Sequence, residues 1–300
     1  MFTIFTTTKD FIGEFDIIQK NALKSWRALS EDIEIILIGE SIGGQEVAKN
    51  IDGKYLTKVK MSHENTPTIG GLFEIAEANG KYDILCYVNA DIILPGSLLN
   101  VLEVLKKINK RFLAVGHRWD LDVNESIDFK RSNDTEKFWS YAKNESIQHA
   151  PTGIDYFIFR KNTFKNIPPL AIGRFGWDNW LLWKTRRMRV PLIDLSDGIF
   201  AIHQNHSYNF KGFESKNDVL SSNDGLLNRQ VIGGNTLNLL DANYYYSNSS
   251  IKKNNTKEFK NRNLGKLPVI FPELSFLLTI YKKIYRRLIS FKLKRIFLFL

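Results

Sequence analysis

Asp83-Ile84-Leu85-Cys86-Tyr87-Val88-Asn89-Ala90-Asp91 reads as a buried strand that delivers an amide and a carboxylate at its end. Ile84 to Val88 form an unbroken apolar run, the pattern of a strand covered on both faces. Ile92, Ile93, Leu94 and Pro95 then reset the chain into a helix expected over 95–110. A carboxylate at the C-terminal tip of such a strand lies where open parallel sheets bind ligands. Magnesium and manganese are held by one or two acidic oxygens shared with substrate phosphates. The same residue type also starts turns and caps helices, so Asp91 alone leaves both roles open.

Outward from this strand the pattern alternates. Residues 2–8 read as strand, 10–29 as an amphipathic helix with Phe11, Phe15, Ile18, Ala22, Leu23 and Trp26 near helical spacing, and 33–38 as a buried strand. A short helix at 45–50, a strand at 55–59 and a helix at 69–78 lead into Asp83–Val88; strand 112–116 follows the helix after it. Strands alternating with helices at this interval predict a mixed α/β fold, a mostly parallel sheet flanked by helices. Beyond Arg118 the pattern loosens, with a helix expected near 134–147, strand at 154–160, helix at 177–187 and strand at 190–194.

The chain has 300 residues, 43% of them hydrophobic, enough to bury a sizeable core. Its one cysteine, Cys86, rules out an internal disulfide framework and a cysteine-based zinc site. The N-terminus lacks the basic and apolar blocks of a signal peptide. The net charge of +10 is unevenly placed: residues 251–300 hold 13 Lys/Arg against Glu258 and Glu273, which leaves 29 Lys/Arg against 30 Asp/Glu in residues 1–250. The expected organisation is therefore a domain over 1–240, a polar linker over 241–266 and a basic amphipathic tail over 267–300.

Strand 1 runs into Thr6-Thr7-Thr8-Lys9 with no Gly-x-Gly-x-x-Gly and no Walker pattern. That argues against NAD enzymes, common methyltransferases and P-loop ATPases. A nucleotide on such a sheet is held by side chains at strand tips, with a metal for the diphosphate. The polar tips are Thr6–Thr8, Glu40-Ser41, Asn89–Asp91 and His117–Asp122, followed downstream by Gly173–Trp180 and Ala201–Tyr208.

Taken in order, Phe5–Lys9, Ile35–Gly39, Leu85–Ile93, Val115–Asp120, Pro151–Phe157, Gly173–Trp180 and Ala201–His206 resemble glycosyltransferase-like proteins of the GT-A, or nucleotide-diphospho-sugar transferase, fold. The likeness covers most of residues 1–210 and none of the tail. It implies transfer of a sugar from a nucleotide-diphosphate donor to an acceptor hydroxyl, of a glycan or a lipid-linked glycan. Thr6, Thr7 and Glu40 would line the nucleoside pocket. Asp91 would hold a divalent cation, Mn2+ or Mg2+, as the last carboxylate of an Asp-x-Asp motif whose first position is here Asn89; an amide there lowers the charge of the site. His203 would supply a further metal ligand, with His206 a second candidate for that role.

Asp178, at the start of a helix between Trp177 and Trp180, reads as a general base or acceptor-binding group, or else as a helix cap. Arg118 and Arg174 read as diphosphate-binding groups, Arg118 also stabilising the leaving group. Asp155 and Trp177 read as acceptor-binding, and Trp119 as a stacking or core indole. A sugar-1-phosphate nucleotidyltransferase lacks support without a glycine-rich turn after strand 1; a non-catalytic glycan- or nucleotide-binding module is the other alternative.

Residues 273–300 interleave leucine, isoleucine and phenylalanine with seven Lys/Arg. Such a segment fits an interfacial helix on an anionic membrane surface. The expected location is cytoplasmic, at the membrane face. With no basic face on the body, no nucleic-acid partner is expected.

Overall fold

Every residue of β4 (Ile84–Val88) is buried, and its alternate side chains leave for opposite layers of helices. The structure is a computed structural model that describes residues 1–207, 215–276 and 280. Around β4 the chain runs β1 (Thr3–Thr6), α1 (Glu14–Leu29), β2 (Glu34–Ile38), α2 (Gly44–Asn50), β3 (Lys54–Leu56) and α3 (Ile69–Asn79) before it. After it come β5 (Ile92–Ile93), α4 (Ser97–Lys106), β6 (Leu113–Val115), β7 (Arg118–Leu121), α5 (Ser132–Glu145), β8 (Ile147–Gln148) and β9 (Tyr156–Arg160). Then follow α6 (Trp177–Arg187), β10 (Leu192–Asp194), β11 (Ala201–Gln204), α7 (Lys216–Ser221), α8 (Asn223–Ile232), β12 (Tyr244–Ser247) and β13 (Ser250–Lys253).

Nine strands form the central sheet in the order β13-β12-β10-β6-β9-β4-β1-β2-β3. The pairings are parallel except those of β9 with β4 and β6 and of β12 with β13. The expected class, a mixed and mostly parallel sheet flanked by helices, is the observed one. Ile84, Cys86 and Val88 pack with Ala22, Leu23 and Trp26 of α1 and Leu98 and Leu102 of α4. On the other face Tyr87 joins Phe5, Phe73, Phe157 and Trp177 in an aromatic layer. Phe73 stacks on Phe159 at 4.6 Å and an interplanar angle of 5°.

A second sheet, ordered β5-β11-β7-β8, stands beside the first. It is covered by Phe138 and Ala142 of α5, which pack with Ile93, Leu121 and Ile202. Sequence periodicity did not resolve this sheet, because β5 and β8 have two residues each.

The stretch 241–266, expected as a polar linker, differs in structure. Tyr244 pairs with Ile193, and β12 turns into β13 through Asn248 and Ser249, both at positive φ (50° and 53°). Two such residues are what a tight twist-matched hairpin needs. Tyr246 is buried in the core, so an Asn/Ser-rich composition concealed a strand with one inward aromatic face.

The chain divides into two compact units, Met1–Asn254 and Asn255–Leu300. In the second unit α9 (Lys257–Ile270) starts at Thr256, whose hydroxyl accepts from the Phe259 N–H at 3.2 Å. Residues 277–279 and 281–300, most of the expected amphipathic tail, lie outside the described residues.

Candidate active site

The parallel strands β1, β2, β4 and β6 end on the same edge, and β9, running the other way, begins there. Asp155, one residue before β9, is thus brought to Asn89, one residue after β4, and the Asn89 N–H donates to the Asp155 carbonyl at 2.9 Å. The second sheet supplies the rest. β11 pairs parallel with β7 and antiparallel with β5, so His203 is the register partner of both Asp120 and Ile92. Asp91 precedes Ile92, and its carbonyl accepts from the backbone and side-chain N–H groups of Gln204 at 3.2 and 3.1 Å.

Asp91 Oδ2 stands 3.3 Å from His206 Nε2 and 3.7 Å from His203 Nε2. Asp91 Oδ1 is buried and has no hydrogen-bond partner among the described residues. Burial alone would raise this carboxyl, yet His203, His206 and Arg118 hold it well below the usual carboxylate range. For His203 burial alone would lower the imidazole, while Asp91 and Asp120 raise it above its ordinary value. His206 Nδ1 donates to the Ser207 carbonyl at 2.8 Å, which leaves Nε2 as the ring nitrogen that faces Asp91.

Arg118 and Asp120 lie two residues apart on β7 and so share a face. The guanidinium donates from Nη1 to Asp155 Oδ2 at 2.8 Å and sets Nε 3.0 Å from Asp120 Oδ1. Asp120 Oδ2 lies 2.6 Å from His149 Nδ1, and Asp120 Oδ1 lies 3.2 Å from His203 Nδ1. Burial opposes ionisation of Asp120, but His203, His149 and Arg118 keep it below the usual range. Three carboxylates, Asp91, Asp120 and Asp155, thus gather around the Arg118 guanidinium. With neutral imidazoles this set carries two excess negative charges.

That imbalance, the unpartnered Asp91 oxygen and the donor set fit a divalent cation. Ligand atoms of Asp91, His203 and His206 all lie within 4.8 Å of one another. Carboxylate oxygen with imidazole nitrogen suits a first-row transition ion such as Mn2+, whereas Mg2+ favours oxygen alone.

The other expected site residues are distributed around this centre. Thr6 is buried and its hydroxyl donates to the Thr7 carbonyl, while Thr7 is half-buried and Glu40 exposed on the loop after β2. Gly39 sits at φ 100°, where a Cβ would come 3.1 Å from Thr7 Oγ1; glycine there keeps the two loops close. Asn89 is engaged on both ends: its Nδ2 donates to Asp155 Oδ1, and its Oδ1 accepts from the Tyr87 hydroxyl at 2.8 Å. Arg118 and Asp155 are engaged with each other, with Asp120 and with Asn89. Arg174 is buried, donates to Thr66 Oγ1 at 3.3 Å, and lies in the field of Asp224 and Glu64. Trp177 is also buried, with its ring edge-on to Tyr87 at 5.6 Å, a member of the aromatic layer. Trp119 packs on Phe200 at 5.2 Å.

Asp178 is the second residue of α6, whose cap position is Gly176 at φ 69°. Its Oδ1 accepts from the Asn179 N–H at 2.8 Å. Burial pushes the carboxyl up to about 7; the Asn179 N–H opposes the rise, Asp155 adds to it and Arg118 opposes it. Those last two influences place Asp178 in the field of the cluster. Asp120, His149 and Lys9 were not singled out from sequence. Lys9 is drawn down to about 8 by burial, against the field of Asp91, and its ammonium lies 3.7 Å over the Phe15 ring. The signal for Asp120 was its two-residue spacing from Arg118; His149 carries none in the sequence.

No family model and no curated protein matches this chain. Solved structures resemble it in backbone arrangement. Glucosyl-3-phosphoglycerate synthase from Mycobacterium tuberculosis, in complex with Mn2+, uridine diphosphate and phosphoglyceric acid, is 13% identical over 76% of this chain and 78% of that chain, with a TM-score of 0.45. S. aureus TarS is 13% identical over 76% of this chain and 43% of its own, with a TM-score of 0.45. A TarS chain in complex with UDP-GlcNAc is 11% identical over 41% and 36%, with a TM-score of 0.31. This chain spans less than half the length of the TarS chains it matches. At these identities and TM-scores the likeness is one of backbone arrangement alone.

Proposed function

We propose that this chain transfers a sugar from a nucleotide-diphosphate donor to an acceptor hydroxyl. The observation that carries the reading is the buried, unpartnered Asp91 Oδ1 with two imidazole nitrogens 3.3 and 3.7 Å from its sister oxygen, at the carboxyl edge of a mostly parallel sheet. Asp91, His203 and His206 would hold a divalent cation, which supplies positive charge to the departing diphosphate. Thr7 and Glu40, on neighbouring loops, face the nucleoside, and Arg174 the diphosphate. Asp178 takes the acceptor's hydroxyl proton on Oδ2 as the hydroxyl oxygen bonds the anomeric carbon; the bond from that carbon to the diphosphate breaks and the diphosphate leaves with the electron pair. Arg118 acts through Asp155 and Asp120, fixing both carboxylates beside the reacting groups.

The basic C-terminal residues would bring the protein to an anionic membrane surface on the cytoplasmic side, consistent with a lipid-linked or cell-surface glycan acceptor. Their charge, 13 Lys/Arg against two carboxylates over 251–300, supports that placement. Among the described residues no helix is long and apolar enough to cross a membrane.

A thermal-shift panel of UDP, GDP, CMP and dTDP, each with and without Mn2+, tests the donor site. Stabilisation by one nucleotide, strengthened by Mn2+ and lost in Asp91→Ala, is expected. An Asp91→Ala protein that keeps the full Mn2+-dependent shift would refute the assignment of the metal to Asp91.

A further inference from the structure

We propose that Asp120 is a positioning residue that selects the tautomer of His203, so that Nδ1 carries the proton and Nε2 turns a lone pair toward Asp91. The inference rests on reading Asp91, His203 and His206 as a cation site. It goes beyond that reading by asking what keeps the site open to a cation.

A neutral imidazole has one N–H and one lone pair. If His203 carried its proton on Nε2, that N–H would point toward Asp91 Oδ2, 3.7 Å away, and stand between the carboxylate and an entering cation. If the proton sits on Nδ1, Nε2 and Asp91 both present electron pairs to the same space. Geometry favours the second arrangement. His203 Nδ1 is buried, and the acceptor that faces it is Asp120 Oδ1 at 3.2 Å, nearer than Asp91 is to Nε2. The approach is built into the backbone, since Asp120 and His203 are directly paired across β7 and β11.

Asp120 is itself held. Arg118 Nε stands 3.0 Å from its Oδ1, and His149 Nδ1 stands 2.6 Å from its Oδ2. The His149 backbone N–H donates to the Arg118 carbonyl at 3.0 Å, and a side chain at Gly153 would overlap the His149 ring. His206 follows the same rule by another route, with Nδ1 committed to the Ser207 carbonyl. Both rings therefore turn Nε2 toward Asp91 Oδ2, His206 with Nδ1 hydrogen-bonded to the Ser207 carbonyl and His203 with Nδ1 set 3.2 Å from Asp120 Oδ1, two buried atoms with no other hydrogen-bond partner among the described residues. Partners of this kind tune metal affinity by about 10–100-fold.

The test uses the full chain in three forms: wild type, Asp120→Ala and Asp120→Asn. Imidazole nitrogen chemical shifts of 15N-labelled, metal-free protein, recorded above the pH at which His203 gives up its second proton, report the His203 tautomer, and EPR titration reports Mn2+ binding. Wild type is expected to show Nδ1–H. Asp120→Ala is expected to move the proton toward Nε2 and weaken Mn2+ by about 10–100-fold. Asp120→Asn keeps a carbonyl acceptor and is expected to recover the Nδ1–H tautomer and most of the affinity, which a loss of packing alone would not reproduce. An unchanged tautomer in Asp120→Ala overturns the proposal, as does wild-type Mn2+ affinity in that variant. Failure of the cation reading looks different: Mn2+ would bind neither wild type nor any variant, while the tautomer of the metal-free protein would still decide the role of Asp120.

Discussion

Burial sets the Asp178 carboxyl near 7, whereas the same group in an unfolded chain ionises near 3.9. The folded state therefore holds its proton more tightly. The contribution of Asp178 to stability is highest below about pH 4, falls as pH rises toward 7 and is level beyond it, whereas that of Asp91 and Asp120, held low in the fold, is lost in acid. Asp178→Asn removes the cost of ionising a buried group, so it is expected to stabilise the fold by about 2–4 kcal/mol at pH 8 and by little at pH 4. Denaturant midpoints at the two pH values check this, and an equal effect at both would show that the carboxyl ionises normally. Transfer runs in the opposite sense, because a base must be unprotonated: the wild-type rate should climb through about pH 7, and Asp178→Asn should lose about 10²–10⁴-fold. Asp91 and Asp178 were legible in the sequence because each stands beside a run of apolar or aromatic residues that forecasts a buried element end. Asp120 was not, since its meaning comes from residue 203, which only the pairing of β7 with β11 places beside it.

Helix α1 buries three polar residues, Gln19, Asn21 and Ser25, and each reaches a part of the site. Gln19 brackets Lys9, accepting from its N–H at 2.7 Å and donating to its carbonyl at 3.0 Å. Asn21 donates to Gln204 Oε1 at 3.1 Å and to the Glu125 carbonyl at 2.8 Å, and accepts from the Ile127 N–H at 2.9 Å. Ser25 Oγ accepts from the Leu94 N–H, and beside it Trp26 Nε1 donates to the Ile92 carbonyl at 2.8 Å. Truncating Asn21 to alanine strands several buried groups and is expected to cost about 2–3 kcal/mol. It should also weaken Mn2+ binding, because Gln204 ties β11 to Asp91. Thermal denaturation and Mn2+ titration of the same variant check both; intact Mn2+ affinity in a destabilised protein would separate α1 from the site. Apolar spacing located this helix, with its start near Glu14 rather than residue 10. That Asn21 and Ser25 turn inward depends on segments more than 60 residues away in sequence (Leu94 and Ser25 are 69 apart), beyond the reach of any local pattern, whereas Gln19 answers to Lys9 only ten residues before it. The hairpin of β12 and β13 escaped for the opposite reason, its polar composition masking local turn chemistry.

Over the whole molecule, charge and chemistry are segregated: a near-neutral body carries the site, and the last 50 residues carry a net +11 (13 Lys/Arg less two Glu). A chain ending at Asn254, the boundary between the two units, is expected to keep its nucleotide-induced thermal shift and to lose binding to vesicles containing anionic lipid. Sedimentation of that shortened chain with the vesicles would place the membrane affinity in the body. The pairing of β7 with β11 has a further consequence, for the order in which the molecule is made. Strands β1, β2 and β4 pair in parallel within the first 90 residues, with helices between them. Asp91 meets its imidazoles only when residues 203 and 206 have been synthesised and a long loop has closed. A nascent chain could therefore own a well-paired half-sheet and still be blind to manganese, and the first tight ion it takes up would mark the moment its topology is complete.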